Sequence, residues 1–467
     1  MTGPERAPGR APGPIAEQEE RPAARTGALR GFWIGRFASA AGSAVTSLAI
    51  PFFLTVHLRM DPVQVSVVLT GPLVVTVLSP LYAGVIADLL DRKRVTVVSE
   101  LARSALLALL ALLAAMNVSD LMLLTAVNAL IAVAKSVFSA SFNAGLPDLL
   151  GEERLQAGNA RLQTFTTVAE TGSGAFGGAL LSFLGPVAAF ETNSAAYLLS
   201  TLGLVATRWP HARRGADDGA GADAGEGPSS GRRIPYLRRV ASGFVAVRES
   251  PLLSVLLLTS TVANLVIHVT MVALLWLLVR ELDYPFLLYS IVLAVGSGGA
   301  VVGAMATTRL DSLRGMNAAR LQGLSLVLYG LLLIGYGLLW PSSASSFIVA
   351  CVIDFGIGFC VSTYVIRNMT QQQTAVARER RGAVSSVRSF GTALAGAAGT
   401  AAAGALIEIS SARVVVLACG GALLVVAVGY GILVRRVGAS RAGSGQQRSS
   451  GRLEPGGREG GDDPKVV

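Results

Sequence analysis

Hydrophobic positions in this chain come in long unbroken runs, not in strand-like alternation. Twelve runs stand out, at about 31–56, 65–87, 95–116, 121–142, 162–184, 187–207, 251–278, 286–307, 318–340, 346–368, 386–407 and 412–436. About 20 apolar residues in a helix cross the roughly 30 Å hydrocarbon core of a bilayer. The pattern therefore predicts an all-α membrane protein with twelve transmembrane helices. A polar stretch, 208–250, divides them six and six, into an N-terminal half (31–207) and a C-terminal half (251–436). Its first part, HARRGADDGAGADAGEGPSSGRR, reads as a flexible linker. The part that follows, IPYLRRVASGFVAVRESP, has apolar residues at helical spacing with arginines between them, as in a helix lying on a membrane surface. Residues 1–30 and 437–467 are polar and expected to be disordered, and the N-terminus lacks the pattern of a cleavable signal.

Composition agrees. Of 467 residues, 52% are hydrophobic and 15% charged, where a soluble domain carries about a quarter charged. A net charge of +10 suggests nucleic acid at first, but the bases are concentrated in short loops and tails. The positive-inside rule explains them better. With the N-terminus inside, the outer loops hold Arg59, Arg280 and Arg413 and little else basic. The inner segments hold DRKR, RRIPYLRR, RERRGAVSSVR and the Arg-bearing tail. Both termini are then cytoplasmic, in a multi-pass protein of the cell membrane, expected to be a bacterial inner membrane, and monomeric. The halves also echo each other: GVIADLLDRKR follows the second run and GAMATTRLDSLRG the eighth. Such repeats imply a binding site between the halves.

GVIADLLDRKR is similar to the cytoplasmic signature of the major facilitator superfamily, Gly-x-x-x-Asp-x-x-Gly-Arg-Lys/Arg. Gly84, Asp88, Arg92 and Lys93 match, while Leu89 and Asp91 depart from it. LPDLLGEERLQAGNARL, from Leu146 to Leu162, resembles the macrolide-efflux and enterobactin-exporter branch, as do Arg381 and Gly382. The resemblance covers about residues 30–436. It implies the major facilitator fold, a cavity surrounded by helices 1, 4, 7 and 10, and a cytoplasmic gate of Gly84, Asp88, Arg92 and Lys93. Two departures concern coupling. Gly42-Ser43 stands where the branch often has Gly-Asp, and the helix 5 antiporter motif is reduced to SGAFGG, with Gly174, Gly177 and Gly178 as helix-packing glycines.

Ionisable residues within a bilayer are costly and point to function. Arg36, Lys135, Glu170, His268 and Asp354 fall inside the runs. At 1.5 Å per helical residue, Lys135 and Glu170 lie at similar depths, roughly 10–12 Å from the cytoplasmic side, which allows a Lys–Glu pair. His268 and Asp354 are deeper. Polar stripes accompany them: Arg36, Ser39, Ser43 and Ser47; Asn128, Lys135 and Ser139; Asn264 and His268; Asp354 and Ser362. Structural readings stand beside the functional ones. Arg36 suits snorkelling to the interface, Lys135–Glu170 a static pair, and His268 a neutral packing role.

With three lysines in the chain, no phosphate-cradling Gly-x-x-x-x-Gly-Lys-Ser/Thr occurs, so ATP is not the expected energy source. Cys351, Cys360 and Cys419 read as buried hydrophobes, and no catalytic or metal-binding constellation appears. No cofactor and no nucleic acid partner is expected. The reading is a non-enzymatic secondary transporter, driven by a proton gradient and exporting a hydrophobic or amphipathic small molecule. The proton or substrate pathway runs through Arg36, Lys135, Glu170, Asn264, His268 and Asp354. The alternatives are an uncoupled facilitator or uptake carrier, or a membrane binding protein that moves nothing.

Overall fold

The computed structural model describes residues 22–207, 209, 236–310, 318–340, 343–376 and 380–450. All regular structure among them is helical: α1 (Pro22–Phe52), α2 (Pro62–Leu89), α3 (Arg92–Ala115), α4 (Leu121–Leu150), α5 (Glu152–Ala206), α6 (Tyr236–Arg248), α7 (Pro251–Trp276), α8 (Phe286–Leu310), α9 (Ala318–Gly337), α10 (Ala344–Thr374), α11 (Arg381–Ile409) and α12 (Ala412–Ser450). Hydrocarbon offers no partner to a backbone N–H or C=O, so a spanning segment must satisfy these groups internally. Ten described helices are long and apolar enough to cross a membrane, with an eleventh if the bent pair Arg154–Gly172 and Phe176–Ala206 is one span.

Several helix starts follow from the sequence. Asp91 Oδ1 accepts from Arg94 N at 2.8 Å, Asp120 Oδ1 from Leu123 N at 2.7 Å, and Ser343 Oγ from Ser346 N at 3.1 Å. Each is a short polar side chain serving an otherwise unpaired N–H of the first turn. Asp91, which departs from the signature, thus acts as the N-cap of α3.

The helices overrun the expected limits. α1 begins at Pro22 and α12 runs to Ser450, where disorder was expected over 1–30 and 437–467. Extending an existing helix needs only one residue fixed per hydrogen bond gained. The expected linker lies outside the described residues up to 235, apart from Trp209. The segment expected to form a surface helix contains α6, with Phe244 and Val245 exposed and Gly243 against Ala383 of α11.

α5 joins two expected segments. Gly185 (φ 77°, ψ −178°) lies outside the helical region, and Pro186 follows it. Before it the chain ascends beside α1, with Arg161 over Trp33 and Gly177 against Val45 and Leu48. After it the chain descends along the same helix. Phe190 meets Phe53, Asn193 meets Thr46, and Ser200 meets Gly35. The direction therefore reverses at Gly185, where a positive φ favours glycine.

α1–α5 pack together, as do α7–α12, and the two groups meet through α2 with α11 and α5 with α8. The end of α1 and the end of α7 are built alike. Both pass into one π-helical turn, Phe53–His57 and Leu277–Glu281. Leu58 N donates to Phe53 O at 2.8 Å, and Leu282 N to Leu277 O at 2.8 Å. Met60 N donates to Leu54 O at 2.9 Å, and Tyr284 N to Leu278 O at 2.9 Å. Arg59 (φ 54°) and Asp283 (φ 56°) occupy matching left-handed positions. The two halves thus repeat one another down to single hydrogen bonds.

The tightest packing is between α8 and α10. A methyl group added at Gly358 would collide with the carbonyl of Gly296, and one at Gly299 with that of Phe355. Small residues let two backbones approach in this way. Gly358→Ala should lower the thermal unfolding midpoint of the purified protein in detergent, since overpacking costs about 1–3 kcal/mol. Gly421→Ala, facing open space, should match or slightly exceed the parent. Equal midpoints for both variants would show that α8 and α10 are not in backbone contact.

Candidate functional site

The bundle of α1–α5 contains a buried charge cluster. Glu100 on α3 is 0% exposed and serves two arginines. Arg36 Nη1 on α1 lies 3.3 Å from its Oε1, and Arg103 Nη1 on α3 lies 2.9 Å from its Oε2. Ser39 Oγ adds a third donor at 2.9 Å. Arg103 Nη2 also donates to Tyr197 OH and, at 3.3 Å, to Ser43 Oγ, which is itself 2.8 Å from Tyr197 OH. Aromatic faces complete the shell. The Arg36 guanidinium lies 4.7 Å from the Phe138 centroid and 4.8 Å from Phe142, and Arg103 lies 3.9 Å from Tyr197. Nε of Arg36 and Nε of Arg103 are buried without a partner.

Arg36 is therefore tied to a counter-ion inside the bundle and does not snorkel. Ser39 and Ser43 turn the expected α1 stripe towards α3 and α5, leaving Ser47 exposed. Glu100, Arg103 and Tyr197 were not singled out by sequence. The available signal was an acid and a base three residues apart within one apolar run, which places them on one helix face.

Lys135 is exposed on α4, with Ser139 and Asn143 at successive four-residue steps on the same face. It is within electrostatic reach of Arg103 and of Glu170, which is exposed on α5. The structure thus brings Lys135 and Glu170 to one side of the bundle. Asn128, expected on the same stripe, instead donates to Val68 O of α2 at 3.1 Å and is buried.

Asp354 and His268 point to different neighbours. Tyr336 OH of α9 donates to Asp354 Oδ1 at 2.9 Å, and Asp354 Oδ2 lies against Gly296 of α8. His268 Nδ1 is 2.9 Å from Asn264 O, its ring lies against Gly396 of α11, and its Cβ lies against Gly399. Asn264 Nδ2 donates to Ser260 O at 2.9 Å.

Of the residues expected to form a gate, Gly84 faces open space. Arg92 Nη1 donates to Ala144 O at 3.1 Å, and Lys93 Nζ to Thr207 O at 2.7 Å and Val205 O at 3.1 Å. Both bond carbonyls of their own bundle; those met by Lys93 lie at the C-terminus of α5, where cations are favoured. Asp88 lies in the last turn of α2, and its side chain is outside the described positions, as is the surrounding of Gly174. Gly178 packs against Ser290 of α8 so closely that a methyl group would collide, while Gly177 makes ordinary contacts.

The two helix groups touch at the end that carries the π-helical turns. There Arg280 donates to Thr55 O, Phe52 stacks edge-on against Phe286 at 4.4 Å, and Gly404 lies on Pro62. At the other end Gly84 of α2 and Gly382 of α11 have nothing within 4 Å of an added methyl group.

The family description "Major Facilitator Superfamily" matches residues 32–378. No curated protein matches the sequence. Solved structures are similar in fold at low identity. The nucleoside transporter NupG aligns with a TM-score of 0.66 and 13% identity, over 87% of this chain and 99% of that one. A bacterial homolog of the human lysosomal transporter Spinster, inward-facing and unoccupied, gives 0.66 and 15%, over 89% and 98%. A bacterial homologue of the iron transporter ferroportin, inward-facing, gives 0.62 and 14%, over 87% and 98%.

Glu100→Gln should destabilise the protein strongly, because removing one partner leaves buried charge uncompensated at about 3–5 kcal/mol. Glu100→Gln with Arg103→Gln should recover part of the loss in unfolding midpoint. A double variant no more stable than the single would show that charge balance is not what holds this cluster.

Proposed function

The chain belongs to the major facilitator superfamily and is a transporter of that type, and on this premise we propose proton-coupled export of a hydrophobic or amphipathic small molecule, such as an antibiotic-like drug or secondary metabolite. The observation that carries the reading is the interface between the helix groups. It is closed at one end and open at the other, with the exposed Lys135 and Glu170 on the α1–α5 group. The open end bears Arg92, Lys93 and Arg94, so the positive-inside rule makes it cytoplasmic. The state is then inward-facing. Counting α5 as two spans divided at Gly185 gives twelve crossings, six on each side of the linker, with both termini cytoplasmic. We place the protein in the cell membrane, a bacterial inner membrane, as a monomer.

In this reading the halves rock about the contacts of Gly178 with Ser290 and Gly404 with Pro62, exposing the intervening site to each side in turn. A proton drives the cycle if its affinity for its site differs between the two states. Asp354 is the proposed carrier. It is buried, accepts from Tyr336, and packs on both α8 and α9, so a shift among these helices alters its surroundings. His268, against α11, acts separately. Asp88, Arg92 and Lys93 form the proposed cytoplasmic latch of the opposite state. An uncoupled facilitator is the second reading, favoured by Ser43 at the helix 1 position where related exporters carry an acid.

In proteoliposomes, substrate-driven proton movement should be lost in Asp354→Asn with substrate binding retained. Unchanged coupling would remove Asp354 from the mechanism. Asp88→Asn should slow exchange several-fold while leaving the substrate Kd within about twofold. Equal loss of both would count against a latch.

A further inference from the structure

The internal repeat provides a control on the buried charges. On α1 and α7, Phe53 matches Leu277, an offset of 224. Met116 N donates to Leu112 O at the end of α3, and Leu338 N to Ile334 O at the end of α9, an offset of 222. The N-caps of α4 and α10, Asp120 and Ser343, are offset by 223. These offsets put Ser260 opposite Arg36, Gln322 opposite Glu100, Ser325 opposite Arg103, and Gly358 opposite Lys135. Gln322 is 0% exposed, as Glu100 is, and Tyr430 OH and Gln371 Nε2 donate to its Oε1 at 3.1 and 2.8 Å. The fold therefore builds a buried polar node at this position without any charge. The charges of the first bundle are not a requirement of the architecture.

Their sum is also unbalanced. Arg36, Arg103 and Lys135 are three cations against two acids, Glu100 and Glu170, a surplus of one positive charge. Glu100 is shared between two guanidiniums, whose Nε atoms are buried without partners. Lys135 is exposed beside this surplus and within reach of Arg103. An isolated charge within a membrane protein is costly, and a bound anion removes the imbalance.

We propose that the site between the halves takes an amphipathic organic monoanion. Its carboxylate or sulfonate is received by Lys135, with Ser139 and Asn143 on the same face as hydrogen-bond donors. Glu170 holds Lys135 in the empty protein and is displaced when the anion arrives. This names the substrate class within the transport reading and rests on it.

The probes are 8-anilinonaphthalene-1-sulfonate and its neutral parent N-phenyl-1-naphthylamine, titrated against the full-length protein in detergent. The sulfonate should bind about tenfold tighter than the neutral dye, and Lys135→Ala should erase the difference while Lys135→Arg keeps most of it. Glu170→Gln, which removes the competing acid, should tighten the sulfonate several-fold without changing the neutral dye. An unchanged preference in Lys135→Ala, or weaker sulfonate binding in Glu170→Gln, overturns the proposal. Flux from proteoliposomes separates the two claims. Selective binding with no movement of the sulfonate dye supports the anion site and counts against transport. Movement of the neutral dye, undiminished in Lys135→Ala, upholds transport and overturns the anion site.

Discussion

A bilayer interior offers neither hydrogen bonds nor counter-ions, and every feature of this chain answers to that lack. Backbone groups are satisfied within helices, and where helices must end the chain supplies its own partners. Asp91, Asp120 and Ser343 cap exposed N–H groups, and Lys93 reaches back to the last carbonyls of α5. The π-helical turns after α1 and α7 serve the same need. The extra residue in each turn moves the next donor one step on, so Leu58 and Leu282 still find carbonyls. A left-handed residue, Arg59 or Asp283, then redirects the chain. The same solution at both places shows that the halves solve one problem with one geometry.

The same lack makes Glu100 the most demanding residue in the fold. A carboxylate with no exposure has to be met by positive charge and donors, and it is met by Arg36, Arg103 and Ser39 from two helices. The aromatic rings of Phe138, Phe142 and Tyr197 take the faces of the guanidiniums, which carry less tightly held water than an ammonium. α1, α3, α4 and α5 are joined at this one point. Replacing one buried partner alone therefore disturbs four helices. Gln322 holds the corresponding place in the other half, accepting two neutral hydrogen bonds at Oε1 while its Nε2 is buried without a partner.

The fold was largely legible in the sequence because its signals are one-dimensional. Run length, loop charge and the Gly84–Arg94 signature depend on neighbours in the chain, and they recover most of the helices and the family. The hairpin within α5 was also legible from the Gly185-Pro186 break. What escaped were interactions between distant positions. Arg36 could not be distinguished from a snorkelling side chain until Glu100, 64 residues away, was placed beside it. Glu100 and Arg103 were passed over because two opposite charges in a helix of 24 residues barely change its hydropathy. Asp354 and His268 share a depth, and only the packing of α9 and α11 shows that they face different partners. The small-residue surface of α8 was not distinguishable by sequence, whereas the glycines of the fifth run were, since glycine content alone does not say which helix lies opposite.

Reversible rocking sets a limit on how the halves can be joined. If the two states are to exchange, the closed end of one must hold the halves about as strongly as the closed end of the other. A gap of about 5.5 kcal/mol already shifts a two-state equilibrium from 1:99 to 99:1. The closed end seen here meets this limit. Its close approaches are Gly178 on Ser290 and Gly404 on Pro62, with one edge-on aromatic pair and one arginine to a backbone carbonyl. These approaches are made by glycines against a serine side chain and a proline carbonyl. Within a half, Gly358 meets the backbone of Gly296 directly, where the helices need to move as one. At the other end Arg92 and Lys93 are held by carbonyls of their own bundle, so these bases have partners in the state seen here.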